Sequence, residues 1–284
     1  MKQRVGIIGG GFIGTALAQS LNKDKYDVTL SYRSNKPEST ILGVDYDFCD
    51  VERNSIIGGE ALFKVDSLIV CIPPGFKKDM GDSYTPRIKT IINQAQNSKV
   101  KQVVFTSSIG IYSKAGINDE NAELDMSVNK VKVLYDAEQA VLNSRLQYKQ
   151  VLRLGGLIGG NRQPGNFKVV ITKDNANEPV NMVMQEDVVG AITCLIDDAL
   201  SPSQTESAQS QHKAVYNVVS PHHPNKQSFY RYARQQANTL TNSEIVGNPN
   251  NVEGRLVKGD LITKALNFKY KHDNFFESFT TNVV

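Results

Sequence analysis

Near the start of the chain stands Val5-Gly6-Ile7-Ile8-Gly9-Gly10-Gly11-Phe12-Ile13-Gly14. An apolar, β-branched run (Arg4–Ile8) enters three glycines, and a fourth glycine follows at position 14. Beyond it, Phe12, Ile13, Ala16, Leu17 and Leu21 recur at helical spacing. A strand, a Gly9-x-Gly11-x-x-Gly14 turn and a helix in that order form the fingerprint of a dinucleotide site. Each glycine has its own task there. Gly9 allows the tight turn, Gly11 lets backbone approach a pyrophosphate, and Gly14 lets the helix pack on the strand. The helix N-terminus is then aimed at the phosphates.

Working outward, Asp27–Arg33 alternates like a second strand. An acid near the end of that strand, about 20 residues after the glycines, would take a ribose 2′-hydroxyl. Tyr32, Arg33 and Ser34 stand there instead. Arg33 would pair with a 2′-phosphate, which favours NADP, with NAD the alternative; a solvated turn arginine is the bland reading. Gly43–Asp50 reads as a third strand, with Asp50 either capping a following helix or meeting adenine. Val65–Ile72 is apolar enough for the centre of a parallel sheet, and it stops at Ile72-Pro73-Pro74-Gly75. A helix is predicted around Pro86–Gln96, then a strand at Gln102–Thr106 ending in Ser107-Ser108, which local chemistry alone makes a turn. Val128–Leu142 repeats at helical spacing, and Lys149–Leu154 reads as a sixth strand. Asp187 is expected to cap the helix that follows it, Ser201–His212 to form a surface loop, and Ala214–Val219 to return as a strand.

These elements predict an α/β fold, a Rossmann-type doubly wound parallel sheet with a smaller, interleaved C-terminal substrate lobe. Residues 1–155 form the dinucleotide-binding domain, and 185–220 return to it. Residues 156–184 and 221–284 make the substrate-binding lobe.

Composition narrows the function classes. A net charge of +3 over 284 residues, with scattered basic residues, gives no ground for nucleic-acid binding. No apolar run reaches membrane-spanning length. Because the first strand begins almost at Met1, no signal peptide is expected and a cytoplasmic location is. Cys49, Cys71 and Cys194 are widely spaced and suit buried, reduced thiols. The four histidines form no ligand cluster, so no metal is expected, and His222-His223 reads as a surface loop beside two prolines.

In this order the segments resemble the extended short-chain dehydrogenase/reductase superfamily, and more closely its atypical branch of NAD-dependent epimerase/dehydratase (nucleoside-diphosphate-sugar epimerase-like) proteins. The blocks that carry the resemblance are Gly9–Gly14, Phe105–Tyr112, Leu152–Gly159, Glu186–Ala191 and Tyr216–Val219. It implies a cofactor across the strand ends, with Phe12 and Ile13 at the glycine loop, Asp50 near adenine, and Ile72 and Pro73 beside the ribose and nicotinamide. Ser107 and Ser108 would reach nicotinamide and substrate, with Ser108 the candidate catalytic hydrogen-bond donor or a leftover turn serine. A small-molecule substrate and a homodimer are likewise implied.

One departure is chemical. The family's Tyr-x-x-x-Lys pair, in which the lysine lowers the pKa of the tyrosine acid/base, is replaced by Lys130 and Leu134. Tyr135 lies five residues on, about 140° around the helix. The first expectation is therefore an NADP-dependent oxidoreductase or epimerase-like enzyme on a small polar metabolite or nucleotide sugar. The alternatives are a non-catalytic NADP(H)-binding redox sensor or interaction subunit and, further off, a scaffold without cofactor.

Overall fold

A computed structural model describes residues 1–76, 81–199, 213–239 and 253–280. Eight strands form one sheet: β1 (Gln3–Ile8), β2 (Tyr26–Tyr32), β3 (Val44–Val51), β4 (Ile56–Gly58), β5 (Ser67–Val70), β6 (Gln102–Ser108), β8 (Tyr148–Leu154) and β11 (Lys213–Val218). Their spatial order is β11-β8-β6-β5-β1-β2-β3-β4. Every pairing is parallel except β3 with β4, a short antiparallel edge. From β1 the chain winds first towards β3, then returns to the other side of β1 and winds towards β11. The order reverses between β1 and β5, and in open α/β sheets ligands settle outside the strand ends at that point.

The faces follow from the pleat. On β5 and β6, Leu68, Val70, Val103 and Phe105 join one core, which packs under α2 (Gly81–Asn97) and α3 (Asn129–Leu142). Ile69 and Val104, one residue out of phase, join the opposite core under α1 (Phe12–Ser20) and α4 (Gln185–Ala199). All four residues of β5 are buried, as a central parallel strand covered on both faces requires. The doubly wound α/β sheet expected from the sequence is therefore the observed fold.

Two smaller parallel pairs extend it: β9 (Gly156–Ile158) with β10 (Met182–Met184), and β7 (Gly116–Asn118) with β12 (Arg255–Val257). Ile158, Val180 and Met184 form a third core with Phe229 and Tyr230 of α5 (Lys226–Gln236) and Phe275 and Phe279 of α7 (Phe275–Thr280). The short α6 (Leu261–Leu266) packs instead on the main domain through Ile262.

Three local expectations are corrected. No helix follows Asp50 for it to cap, because β3 runs on to Val51 and turns into β4. The α2 helix is already formed at Gly81, so Pro86 lies within it. Asp187 sits inside the first turn of α4, where its carboxylate accepts the backbone N–H groups of Lys271 (2.6 Å) and His272 (3.3 Å). It ties the C-terminal segment to the sheet domain rather than capping its own helix. Ser201–His212 lies outside the described residues.

Candidate dinucleotide cleft

The glycine loop is shaped partly by the chain and partly by the space beside it. Gly9 has φ +112°, and a Cβ there would fall 2.8 Å from the Cys71 carbonyl. At Gly14 a Cβ would fall 2.1 Å from the Gly9 oxygen, so helix and loop touch backbone to backbone. Gly11 differs: a Cβ there would meet nothing within 4 Å. Its missing side chain keeps open space open, as a phosphate-binding turn needs. Gly11 also N-caps α1 with no side-chain cap and no acid in the first turn, leaving the leading N–H groups for an anion. The Ser31 hydroxyl accepts the Gly9 N–H (2.8 Å) and pins the loop to β2. These features fit a dinucleotide.

Beside the loop runs a cleft of about 1030 Å³. Of the expected cofactor residues, Gly9, Arg33, Ser34, Ile72 and Pro73 line it. Ile13 is buried in the α1 core, and Phe12 lies under the Arg162 guanidinium, 5.4 Å from ring centroid to carbon. Asp50 is half-buried and does not line the cleft, although its neighbours Cys49 and Val51 do.

Arg87 lines the same end as Arg33, and sequence reasoning missed it. It lies in the first half of α2, where no local pattern separates it from a solvated helix arginine. Its Nε donates to the Val51 carbonyl (2.8 Å), which holds the side chain over the end of β3. Burial first, then the like charge of Arg33, lowers its pKa; Asp50 acts the other way. Two guanidinium groups thus repel each other across a space with no carboxylate on its lining. Of the described residues around the whole cleft, Arg33, Arg87 and Lys130 are cations and none is an acid.

At the far end stand Ile72, Pro73, Pro74, Gly75, Phe76 and Lys130. Ser108 lies just beyond, half-buried, its oxygen accepting the Gly110 N–H at 3.0 Å. It caps a short turn and keeps its own O–H to donate. Ser107 does not line the cleft. Its hydroxyl donates to Glu138 Oε1 (2.6 Å), and it is 7 % exposed. Leu134, at the place of the family's lysine, is fully buried.

Behind the cleft wall lies a closed polar network that the sequence did not reveal. Arg153 donates through Nε (3.1 Å) and Nη2 (2.8 Å) to Glu138, and through Nη1 (2.8 Å) to the Tyr112 oxygen. Tyr112 donates on to Asn217 Oδ1 (2.8 Å). Burial opposes the Arg153 charge, but its hydrogen bonds and Coulomb attraction to Glu138 prevail, and its pKa is raised. Burial pushes the Cys49 and Cys71 thiols up to about 12, so neither is a thiolate near neutral pH. Among the described residues no cluster of three metal-ligating side chains occurs. No helix among them is long and apolar enough to cross a membrane. His222 and His223 are half-buried rather than loosely exposed: His222 Nδ1 accepts the Phe275 N–H (3.0 Å), and His223 Nδ1 meets the Val180 carbonyl (3.1 Å).

Known proteins agree with this geometry. The chain is 26% identical to the protein YeeZ of Escherichia coli K12 over 276 residues, which covers 95% of this chain and 96% of YeeZ. The UDP-N-acetylglucosamine 4-epimerase of Bacillus cereus superposes with a TM-score of 0.72 at 14% identity, covering 99% of both chains. MoeE5, solved in complex with UDP-glucose and NAD, superposes with a TM-score of 0.71 at 17% identity, covering 98% of this chain and 96% of its own. Residues 9–199 match the family described as NAD(P)H-binding. The chain belongs to that NAD(P)H-binding family and has a Rossmann-type fold.

Proposed function

We propose that the protein is an NADP(H)-dependent oxidoreductase of the epimerase/dehydratase type, acting on a small polar metabolite or a nucleotide sugar. The observation that carries this reading is the charge of the cleft: two arginines at one end, a lysine at the other, and no carboxylate among the described residues between them. NADP brings an extra dianionic phosphate at the 2′ position, which Arg33 and Arg87 would hold by charge-assisted hydrogen bonds. The nicotinamide, when bound, supplies hydride chemistry; the chain binds, orients and polarises. Nucleotide-sugar chemistry is suggested by the ligand of MoeE5 and the name of the Bacillus cereus epimerase.

Calorimetric titration with NADPH, NADH, NADP and NAD tests the cofactor. Tighter binding of the 2′-phosphorylated forms, by on the order of tenfold or more, is expected for two guanidinium contacts. Equal affinities would remove the NADP assignment, and heatless titrations with all four would remove the dinucleotide. A panel of carbonyl compounds and UDP-sugars, followed by NADPH absorbance, tests turnover. Buried Leu134 in place of the activating lysine favours a second reading, a redox sensor. That reading predicts no turnover with the cofactor saturated and a partner that distinguishes NADP from NADPH.

A further inference from the structure

Lys130 stands at the end of the cleft opposite the two arginines, in the first turn of α3. Its position is defined by two neighbours. The ammonium lies over the Phe76 ring, 5.9 Å from its centroid. It also rests on Gly110, where a Cβ would fall 2.7 Å from Nζ. The same point is 3.2 Å from the Ser108 oxygen. An ammonium and a hydroxyl therefore border the same face of Gly110, close to the Ile72–Phe76 wall, and both have protons to donate. No acid lines the cleft among the described residues to neutralise the ammonium. The side chain is exposed, so fold stability does not account for its placement.

We propose that Lys130 is the proton donor of a carbonyl reduction in this cleft, with Ser108 as the second donor to the same substrate oxygen. This rests on the oxidoreductase reading above and sharpens it, because it sets the substrate class and the direction. The substrate enters as an aldehyde or ketone. The carbonyl carbon would take its hydride from a reduced nicotinamide dinucleotide held at the Gly9–Gly14 loop, which would be oxidised in exchange. The π pair of the C=O bond moves to oxygen, an Nζ–H bond breaks and an O–H bond forms, and the carbonyl compound is reduced to an alcohol. The Lys130 amine then takes a proton back from water. A fixed positive charge beside an oxygen that gains negative charge lowers the barrier directly, and an ammonium needs no neighbouring cation to act as an acid. It is a poor base while it remains charged. Alcohol oxidation, and any epimerisation that begins with it, is therefore the disfavoured direction.

Two readouts test this. Reductive methylation with carbon-13-labelled formaldehyde gives each lysine an NMR signal, and Lys130→Arg identifies the one that belongs to Lys130. NADP is expected to move that signal, whereas adenosine 2′,5′-bisphosphate, which lacks the nicotinamide, leaves it in place. In the second, NADPH oxidation is followed with phenanthrenequinone and with methylglyoxal. Lys130→Met, assayed at saturating NADPH, is expected to lower kcat on the order of a hundredfold to ten-thousandfold, the usual worth of a positioned acid. Gly110→Ala keeps the charge but displaces Nζ, and should lower kcat by a smaller factor. Three outcomes overturn the proposal while the cofactor assignment stands: an unmoved Lys130 signal at saturating NADP, a Lys130→Met kcat within about threefold of wild type, or a wild type that binds NADPH and reduces neither probe. Failure to bind any dinucleotide would overturn the proposed function itself, and this inference with it.

Discussion

Arg153 and the pair Arg33–Arg87 lie on the same sheet domain, yet their surroundings differ in kind. Arg153 is 5 % exposed, and each of its three guanidinium nitrogens donates a hydrogen bond, two of them to a Glu138 that is itself 0 % exposed. Arg33 is exposed, Arg87 is half-buried, and they face each other with no carboxylate on the lining between them. A charge removed from water must be matched inside the protein, and the Glu138 network does that. A charge with no carboxylate hydrogen-bonded to it, as at Arg87, whose Nε donates to the Val51 carbonyl and which feels Asp50 only through space, is left to be answered by whatever binds in the cleft. Compensation therefore separates the cation that builds the scaffold from the cations that define the site.

The comparison breaks most visibly if the scaffold pair is dispensable. Glu138→Gln leaves the Arg153 charge buried without its anion and should cost about 3–5 kcal/mol, read from urea denaturation midpoints. A loss below about 1 kcal/mol would mean that solvent or relaxation matches the charge, and the contrast with the cleft would fail. Replacing both residues together with Met should cost less than Glu138→Gln alone.

The cleft cations should behave in the opposite way. Arg87→Gln should leave the denaturation midpoint almost unchanged, or raise it slightly by relieving repulsion with Arg33. It should weaken NADPH binding by on the order of tenfold and leave NADH binding nearly unaffected, as calorimetry would reveal. Arg33→Gln should act in the same direction with a smaller effect, because its side chain is exposed and more strongly screened. Parallel losses for NADPH and NADH would place these arginines away from the 2′-phosphate.

His222 and His223, bonded to Phe275 and Val180 of the third core, are charges that arrive with pH. Burial lowers the pKa of both His222 and His223 below the ordinary 6.5. As pH falls through about 6.5, the unfolded chain takes up protons before the folded one, so stability should decline below that point and stay level above it. The decline should be modest, under about 1 kcal/mol near pH 5.5, with His223 carrying more of it because His222 is more open to solvent. Denaturation midpoints of the wild type and of His223→Gln at the two pH values check this; an identical decline in both would assign it elsewhere.

Short-range pattern carried much of the fold. The run Val5–Gly14, the apolar Leu68–Val70 and the spacing of Val131, Leu134, Ala137 and Val141 place strands and helices correctly because each encodes its own burial within a few residues. The antiparallel β4 was not legible, since Ile56–Gly58 is too short for a period and gains its strand character from pairing with β3. Asp187 looked like a cap because caps are local, whereas its partners, Lys271 and His272, lie far along the chain.

From residue identity at fixed local spacing come the strand–glycine turn–helix of a dinucleotide loop and the apolar strands of a parallel sheet; that Lys130 and Leu134 stand at the places of a Tyr/Lys pair is what the family resemblance implies. Which charges meet follows from the way the chain folds back on itself. The fold brought Arg87 of α2 beside Arg33, just after β2, set Glu138 against Arg153 and Ser107, and put Lys130 and Ser108 around Gly110. Electrostatic partnership depends on distance in space, and crossover connections make that distance independent of separation along the chain.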